Sequence, residues 1–309
     1  TYRIQNRGGK GIKGMQTREE DVVTKLFLSS NHSYLLYFTD MGRVYRTKTY
    51  NIPEAGRTAK GTPVVNIIEK SPEEKISEII PVKEFSDNEY LVMVTKNGII
   101  KKTPASEYES IRKSGKIAIT LKEGDELISI FKTTGNDNIF LATRNGMAIC
   151  FNENDARAVG RTASGVKAID LADGDYVVGA EPVREDSKVL LVTDGGYGKC
   201  TDLTSFRIQH RGGKGLKAYK ITEKTGNIIG ISMVNDSEEL IMVTSEGVVI
   251  RIRIKDIATT TGRITQGVRL INLDDGVTVV SMDKISAEDA VEEESEENNT
   301  EVTTETTEE

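Results

Sequence analysis

The sequence predicts an all-β repeat protein, a six-bladed ring of four-stranded units, on three observations, two of them repeats that run in phase. An Arg-to-Gly loop recurs at Arg7/Gly11, Arg57/Gly61, Arg112/Gly115, Arg161/Gly165, Arg211/Gly215 and Arg263/Gly267. Its glycines stand 50, 54, 50, 50 and 52 residues apart, and a fixed period near 50 marks stacked structural repeats. A Thr-x-x-Gly sequence recurs between them, at Thr39/Gly42, Thr95/Gly98, Thr143/Gly146, Thr193/Gly196 and Thr244/Gly247. No stretch of helical length carries a 3.6-residue apolar period.

Each element of the unit follows in order. Apolar, β-branched runs such as YLLYF, YLVMV and ELIMV lead into Thr-x-x-Gly. The pattern reads as a hairpin whose glycine takes the left-handed conformation. A third apolar segment precedes each hairpin, as in residues 126–130 and 227–231, and a fourth follows each Arg/Gly loop, as in residues 166–169. Four short strands repeated around a ring make a propeller, and blade-on-blade stacking supplies the core that one unit lacks. There are six loops but five hairpins, so the missing hairpin is expected before Thr1, with ring closure left incomplete and an unpaired blade edge. The ring is expected to span residues 1–285.

Formal net charge is −7, yet the charge is segregated. Residues 286–309 hold eleven acidic and no basic residues. Against 41 basic and 48 acidic residues in all, the remaining body is about +4. The acidic tail is expected to be disordered, serving as a solubilising segment or as a polyanion mimic that competes for the basic surface. Cys150 and Cys200 each lie four residues after a turn glycine, in one slot of neighbouring units. That separation disfavours a disulfide, and two free thiols suit a reducing cytosol. His32 and His210 show no metal-ligand spacing. No apolar run approaches membrane-span length.

The candidate site is the set of loops. Arg7-Gly8-Gly9-Lys10-Gly11, preceded by Gln5, combines glycines that let another backbone approach with flanking cations, which suits a passing phosphate backbone. It is not a nucleotide loop, because Gly11 follows Lys10 where Ser or Thr is needed and no helix follows. The degenerate copies and their flanks add Lys13, Arg57, Lys60, Arg112, Lys113, Lys116, Arg161, Lys167, Arg211, Lys214, Lys217, Arg263 and Arg269. The strand after each turn adds Arg43, Arg46, Lys101, Lys102 and Lys199. Such lysines also blunt exposed strand edges; their repetition points to a charged rim without base specificity. With no Trp, seven Phe and ten Tyr, stacking platforms for single strands or RNA find little support. No carboxylate pair stands out for acid–base work, and no Ser or Cys is paired with a His in a way that suggests a catalytic centre.

QNRGGKG at residues 5–11 and QHRGGKG at 209–215, with degenerate copies near every fiftieth residue, closely resemble the C-terminal domain of the DNA gyrase A subunit. That family carries a Q-[RK]-R-G-G-[RK]-G box on a six-bladed β-pinwheel; this chain has Asn6 and His210 at the second position. The likeness covers residues 1–285 and includes Gly42-Arg43-Val44-Tyr45, residues 98–103 and 114–119, and Gly196-Tyr197-Gly198-Lys199. The topoisomerase IV counterpart lacks an intact box, which makes gyrase the better match. The resemblance implies duplex DNA wrapped with one hand around the rim, the box anchoring and closing the wrap. It also implies a holoenzyme of two A and two B subunits that uses ATP and magnesium outside this chain, with the DNA-cleaving tyrosine also outside it. It implies a cytoplasmic, nucleoid-associated protein, with no membrane partner and no cofactor in this segment. A topoisomerase that only relaxes or decatenates, a protein-interaction propeller and a propeller enzyme are the alternatives.

Overall fold

The computed structural model describes residues 12–13, 29–54 and 61–285 of the chain. The first box at residues 5–11, Arg57, Lys60 and the acidic tail lie outside the described residues. The strands run in chain order as β1 (Ile12–Lys13), β2 (Tyr34–Thr39), β3 (Arg43–Lys48), β4 (Ile76–Val82), β5 (Tyr90–Thr95), β6 (Ile99–Pro104) and β7 (Lys116–Ile117). There follow β8 (Leu127–Thr133), β9 (Asn138–Thr143), β10 (Met147–Asn152), β11 (Val166–Lys167), β12 (Val177–Pro182), β13 (Lys188–Thr193) and β14 (Tyr197–Asp202). The last are β15 (Leu216–Lys217), β16 (Ile228–Val234), β17 (Glu239–Thr244), β18 (Val248–Arg253), β19 (Thr259–Thr260), β20 (Val268–Arg269) and β21 (Val279–Ile285). Short 3-10 turns, such as Glu153–Asp155, are the only helical segments among the described residues.

These strands form five sheets: β4-β2-β3-β7, β8-β5-β6-β11, β12-β9-β10-β15, β16-β13-β14 with β19 and β20, and β21-β17-β18-β1. The expectation of six blades is therefore corrected to five among the described residues. The reason lies in the connectivity. Each sheet is seeded by one Thr-x-x-Gly hairpin, and there are five hairpins. The Arg/Gly loops do not seed sheets. Five of the six are followed by the short outermost strand of another unit's sheet, as β7 pairs β3 and β11 pairs β6, and the Arg57/Gly61 loop is followed by a 3-10 turn at Val64–Asn66 instead. Loops thus outnumber blades, and β1, which follows the first loop, pairs β18 of the last sheet.

The hairpin turns are nearly superimposable in their bonding. In all five, the Thr hydroxyl oxygen accepts the amide four residues on, at 3.1–3.2 Å. The glycine amide donates to the Thr carbonyl at 2.9–3.1 Å, and the glycine takes φ between 75° and 87°. The inner strand of every sheet shifts register opposite that Thr, a bulge that adds local twist. The turn glycine then binds the next unit: the amides of Ala118, Ala168, Ala218 and Leu270 donate to the carbonyls of Gly42, Gly98, Gly146 and Gly196 at 2.7–2.8 Å.

The core lies between blades. Leu36, Phe38 and Val44 of the first sheet pack on Leu91, Met93 and Tyr108 of the second unit. Val92 and Val94 of the second sheet pack on Ile139 and Leu141 of the third, and the series continues to the fifth. Middle strands are therefore sandwiched on both faces, which is why their sequences are continuous apolar runs rather than alternating ones. Each such fully buried side chain contributes about 1.5–3 kcal/mol. The inner strands β4, β8, β12, β16 and β21 line a central cavity of about 980 Å³.

The loop glycines are fixed by close approach. Gly165 has φ +87°, and a Cβ there would stand 2.5 Å from the Ile100 carbonyl oxygen. Gly215 and Gly267 meet the carbonyls of Ala148 and Gly198 in the same way. Replacing Gly165 by Ala is expected to lower unfolding free energy by about 1–3 kcal/mol through the left-handed conformation and this clash, read by urea denaturation. Replacing Gly124 by Ala, which meets no atom within 4 Å but has φ +74°, carries only the conformational part.

Candidate nucleic-acid interface

Each of the four fully described rim loops starts from one blade and stands on the outer edge of the preceding one. After β10, the chain turns through Glu153–Asp155, runs beside β6 with Ala158 bridged to Lys102, forms the Arg161–Gly165 loop, and returns as β11 on the same edge. The loops on successive blades are joined. The amides of Thr120, Asp170 and Lys220 donate to the carbonyls of Ala163, Gly213 and Thr265 at 3.2, 2.9 and 3.1 Å. Arg161 Nη1 donates to the Ile117 carbonyl, and Arg211 Nη1 to the Lys167 carbonyl at 2.9 Å. The result is a hydrogen-bonded band of backbone along the circumference.

The expected cations have three fates in this band. Arg112, Lys113, Lys167, Lys214, Lys217 and Arg269 are exposed. Arg269 is steadied by the Tyr197 hydroxyl at 3.0–3.2 Å, and Lys167 pairs with Asp170 at 2.9 Å, whose carboxyl it holds below the usual range. Lys116, Arg161, Arg211, Arg263, Arg43 and Arg46 are half-buried. Arg43 reaches the Ser114 carbonyl at 2.8 Å, and Arg46 lies over the Tyr34 ring at 4.7 Å while donating to the Glu109 carbonyl. Guanidinium has five donors, so a staple to one carbonyl leaves others to meet a ligand. Lys13 lies in β1, whose side chains are not described.

The third fate corrects the expected rim. Lys101, Lys102 and Lys199 are 1%, 4% and 1% exposed. Lys102 pairs with fully buried Glu153 at 3.4 Å, which also accepts from the Gly135 and Asp137 amides. Lys101 Nζ donates to the carbonyls of Ala118, Gly160 and Arg161, and Lys199 Nζ to those of Gly262 and Arg263. Burial, with the Arg161 charge second, pushes Lys101 down to about 7; burial pushes Lys199 down to about 8. Cys150 and Cys200 are buried free thiols, raised by burial to about 11 and about 12.

Two cations belong to the band that sequence reasoning passed over. Arg157 and Arg207 are exposed. Each stands four residues before a loop arginine, a spacing visible in the sequence, and neither has a hydrogen-bond or ion-pair partner among the described residues. The second box shows one further feature. Gly212 needs its glycine for φ +82°, but Gly213 has ordinary φ and nothing nearer than 3.9 Å. Packing gives no reason for a glycine there. Gln209 Nε2 of the same box is buried without a hydrogen bond, a cost of about 1–3 kcal/mol. Among the described residues no three His, Cys, Asp or Glu could hold a metal, and no helix is long and apolar enough to cross a membrane.

Sheets stacked around a centre, four of them with a described basic glycine loop on the outer edge, define a propeller-like repeat protein. The family described as DNA gyrase C-terminal domain, beta-propeller, matches residues 1–30, 33–83, 89–134, 137–184, 187–235 and 238–286, and the chain belongs to that family. It is 55% identical over 289 residues to the DNA gyrase A subunit of Halalkalibacterium halodurans, covering 94% of this chain and 35% of that protein. It is 50% identical over 290 residues to the DNA gyrase A subunit of Clostridium acetobutylicum, with the same coverage. The chain spans about a third of the length of these curated relatives. A solved DNA gyrase A C-terminal domain superimposes with TM-score 0.80 at 25% identity, over 92% of this chain and 93% of that one. A topoisomerase IV C-terminal domain does so with TM-score 0.76 at 29% identity, over 88% and 84%.

Gly213→Val is expected to leave the thermal midpoint unchanged and to weaken duplex DNA binding, measured by fluorescence anisotropy. Lys101 and Lys199 have folded values depressed below the ordinary lysine range, so the unfolded chain binds more protons above about pH 7. Their contribution therefore makes stability rise with pH, from about 7 for Lys101 and about 8 for Lys199. A Lys101→Ile/Lys199→Ile variant is expected to lose that rise above about pH 7, read as thermal midpoint against pH.

Proposed function

We propose that the chain binds duplex DNA without base specificity along its outer edge and wraps it with a fixed hand, as the DNA-handling domain of a gyrase-type topoisomerase. The observation that carries this reading is the band itself: successive loops bonded to one another, each with free or half-free cations and unhindered backbone. Smooth bending of a 20–30 bp site by 40–90° costs about 1–6 kcal/mol, and a half-turn wrap on the order of 10 kcal/mol by extension. Several phosphate contacts with counterion release offset that; one loop does not.

The partners in this reading are double-stranded DNA, a B subunit, and the rest of the A subunit, in an A2B2 assembly in the cytoplasm at the nucleoid. Strand cleavage, ATP and magnesium then belong to other parts of the holoenzyme, and the wrapped segment is presented for passage with a positive crossing. The DNA contacts assigned are Gln5, Arg7, Gly8, Gly9, Lys10 and Gly11 of the first box, the exposed loop cations above, and Arg157 and Arg207. The tail at 286–309 competes with DNA for the same edge. The topoisomerase IV likeness favours a second reading, bending without supercoiling, against which stand the two Gly-Gly-Lys-Gly boxes.

Arg7→Ala with Lys10→Ala is expected to abolish wrapping while duplex binding survives. Arg157→Ala with Arg207→Ala is expected to reduce the slope of log K against log salt by about 0.9 for each phosphate no longer neutralised. A salt slope no steeper than that of a weakly basic bystander protein would leave a protein-interaction scaffold as the better account.

A further inference from the structure

The repeats of this one chain differ at a single slot beneath the rim. Three residues after the turn glycine stand Tyr45, Lys101, Ile149, Lys199 and Ile250. The loop above each differs in step. Above Lys101 lies Arg161-Thr162-Ala163-Ser164-Gly165, and above Lys199 lies Arg263-Ile264-Thr265-Gln266-Gly267, neither with a lysine of its own. Above Ile149 lies Arg211-Gly212-Gly213-Lys214-Gly215. Ile250 belongs to β18, which pairs with the strand that follows the other Gly-Gly-Lys-Gly sequence. Among the described loops, the two without a lysine have one beneath them, and the two with a lysine, Arg112–Gly115 and Arg211–Gly215, have Tyr45 and Ile149 beneath them.

Resting on the DNA-wrapping reading, we propose that Lys101 and Lys199 are positioning residues of the DNA interface: buried clamps that fix the two lysine-free loops in the shape that meets the phosphate backbone. The geometry is specific. An ammonium has three donors, and Lys101 aims them at three loop and strand carbonyls, of Ala118, Gly160 and Arg161. Lys199 repeats the arrangement on Gly262 and Arg263. With those carbonyls turned inward, the amides of Thr162, Ser164, Ile264 and Thr265 make no hydrogen bond among the described residues. Free backbone N–H groups on a fixed loop are phosphate donors. The box loop needs no such clamp. Arg211 is held from the side, its amide donating to Asp155 Oδ2 at 3.1 Å and its Nε to the Asp155 carbonyl at 2.8 Å, and Lys214 supplies the charge. On the second, third and fourth sheets the clamped, box-bearing and clamped loops follow one another in turn.

The fold does not need a lysine in this slot. Ile149 and Ile250 occupy it at 1% exposure each, and an unburdened aliphatic avoids the desolvation of a charge. Lys101→Ile and Lys199→Ile, with Lys→Met at both sites as a second pair, are therefore expected to keep or raise the thermal midpoint. Backbone order parameters from amide relaxation on the free chain are expected to fall at residues 160–165 and 262–267 and to stay unchanged at 211–215. Compaction of an end-labelled duplex at saturating protein, read by energy transfer, is expected to fall roughly twofold in the double variant, because two of the four described loops lose their fixed shape. Loops that stay ordered without the lysines would overturn the clamp. Loosened loops with undiminished compaction would overturn its role at the interface. If the parent chain itself fails to compact DNA, the wrapping reading fails, and the relaxation data still decide the clamp.

Discussion

The structure depends on one close approach, a loop glycine set against the carbonyl of a neighbouring edge strand. At Gly165, Gly215 and Gly267 the left-handed backbone and the space beside Ile100, Ala148 and Gly198 exclude any side chain. This contact lets each unit hand its outermost strand to the preceding blade, so the sheets close on their neighbours rather than on themselves. Stability then becomes a sum of nearest-neighbour interfaces. It also has a spatial consequence. The residues around these glycines are carried to the circumference, and Arg161, Arg211 and Arg263, each four residues upstream, arrive there with them.

What the rim does with its cations follows from side-chain chemistry. Guanidinium can staple and still present charge, which is how Arg161 and Arg211 tie consecutive loops while remaining half-exposed. A buried ammonium has no such freedom. Lys102 neutralises Glu153, and Lys101 and Lys199 face inward to loop carbonyls. Cations without partners, Arg157 and Arg207 above all, carry the long-range field. The same residue type at neighbouring positions thus serves the fold in one case and the surface in the next.

Much of this was legible in the chain. The Thr-x-x-Gly sequences named all five hairpins, because the Thr hydroxyl and the left-handed glycine are both needed to close the turn. The loop glycines were legible for the same reason. The blade count was not, because the exchange of outer strands between units leaves no local mark, and six loops were read as six blades. Nor was the burial of Lys101, Lys102 and Lys199. Their strands read as charged edges, but a following loop covers them, and only the three-dimensional path shows the cover. Arg157 and Arg207 were missed although their spacing recurs, since attention to the Arg-to-Gly interval hid the arginine before it.

The proposed function makes the linked loops one track that winds DNA with a fixed hand. Its most direct test is topological. The chain is bound to nicked circular DNA, the nick is sealed, the protein is stripped, and the linking number is read on a gel that reports sign. A positive shift that grows with protein until the circles are saturated is expected. Measurable binding with no change in linking number would contradict it.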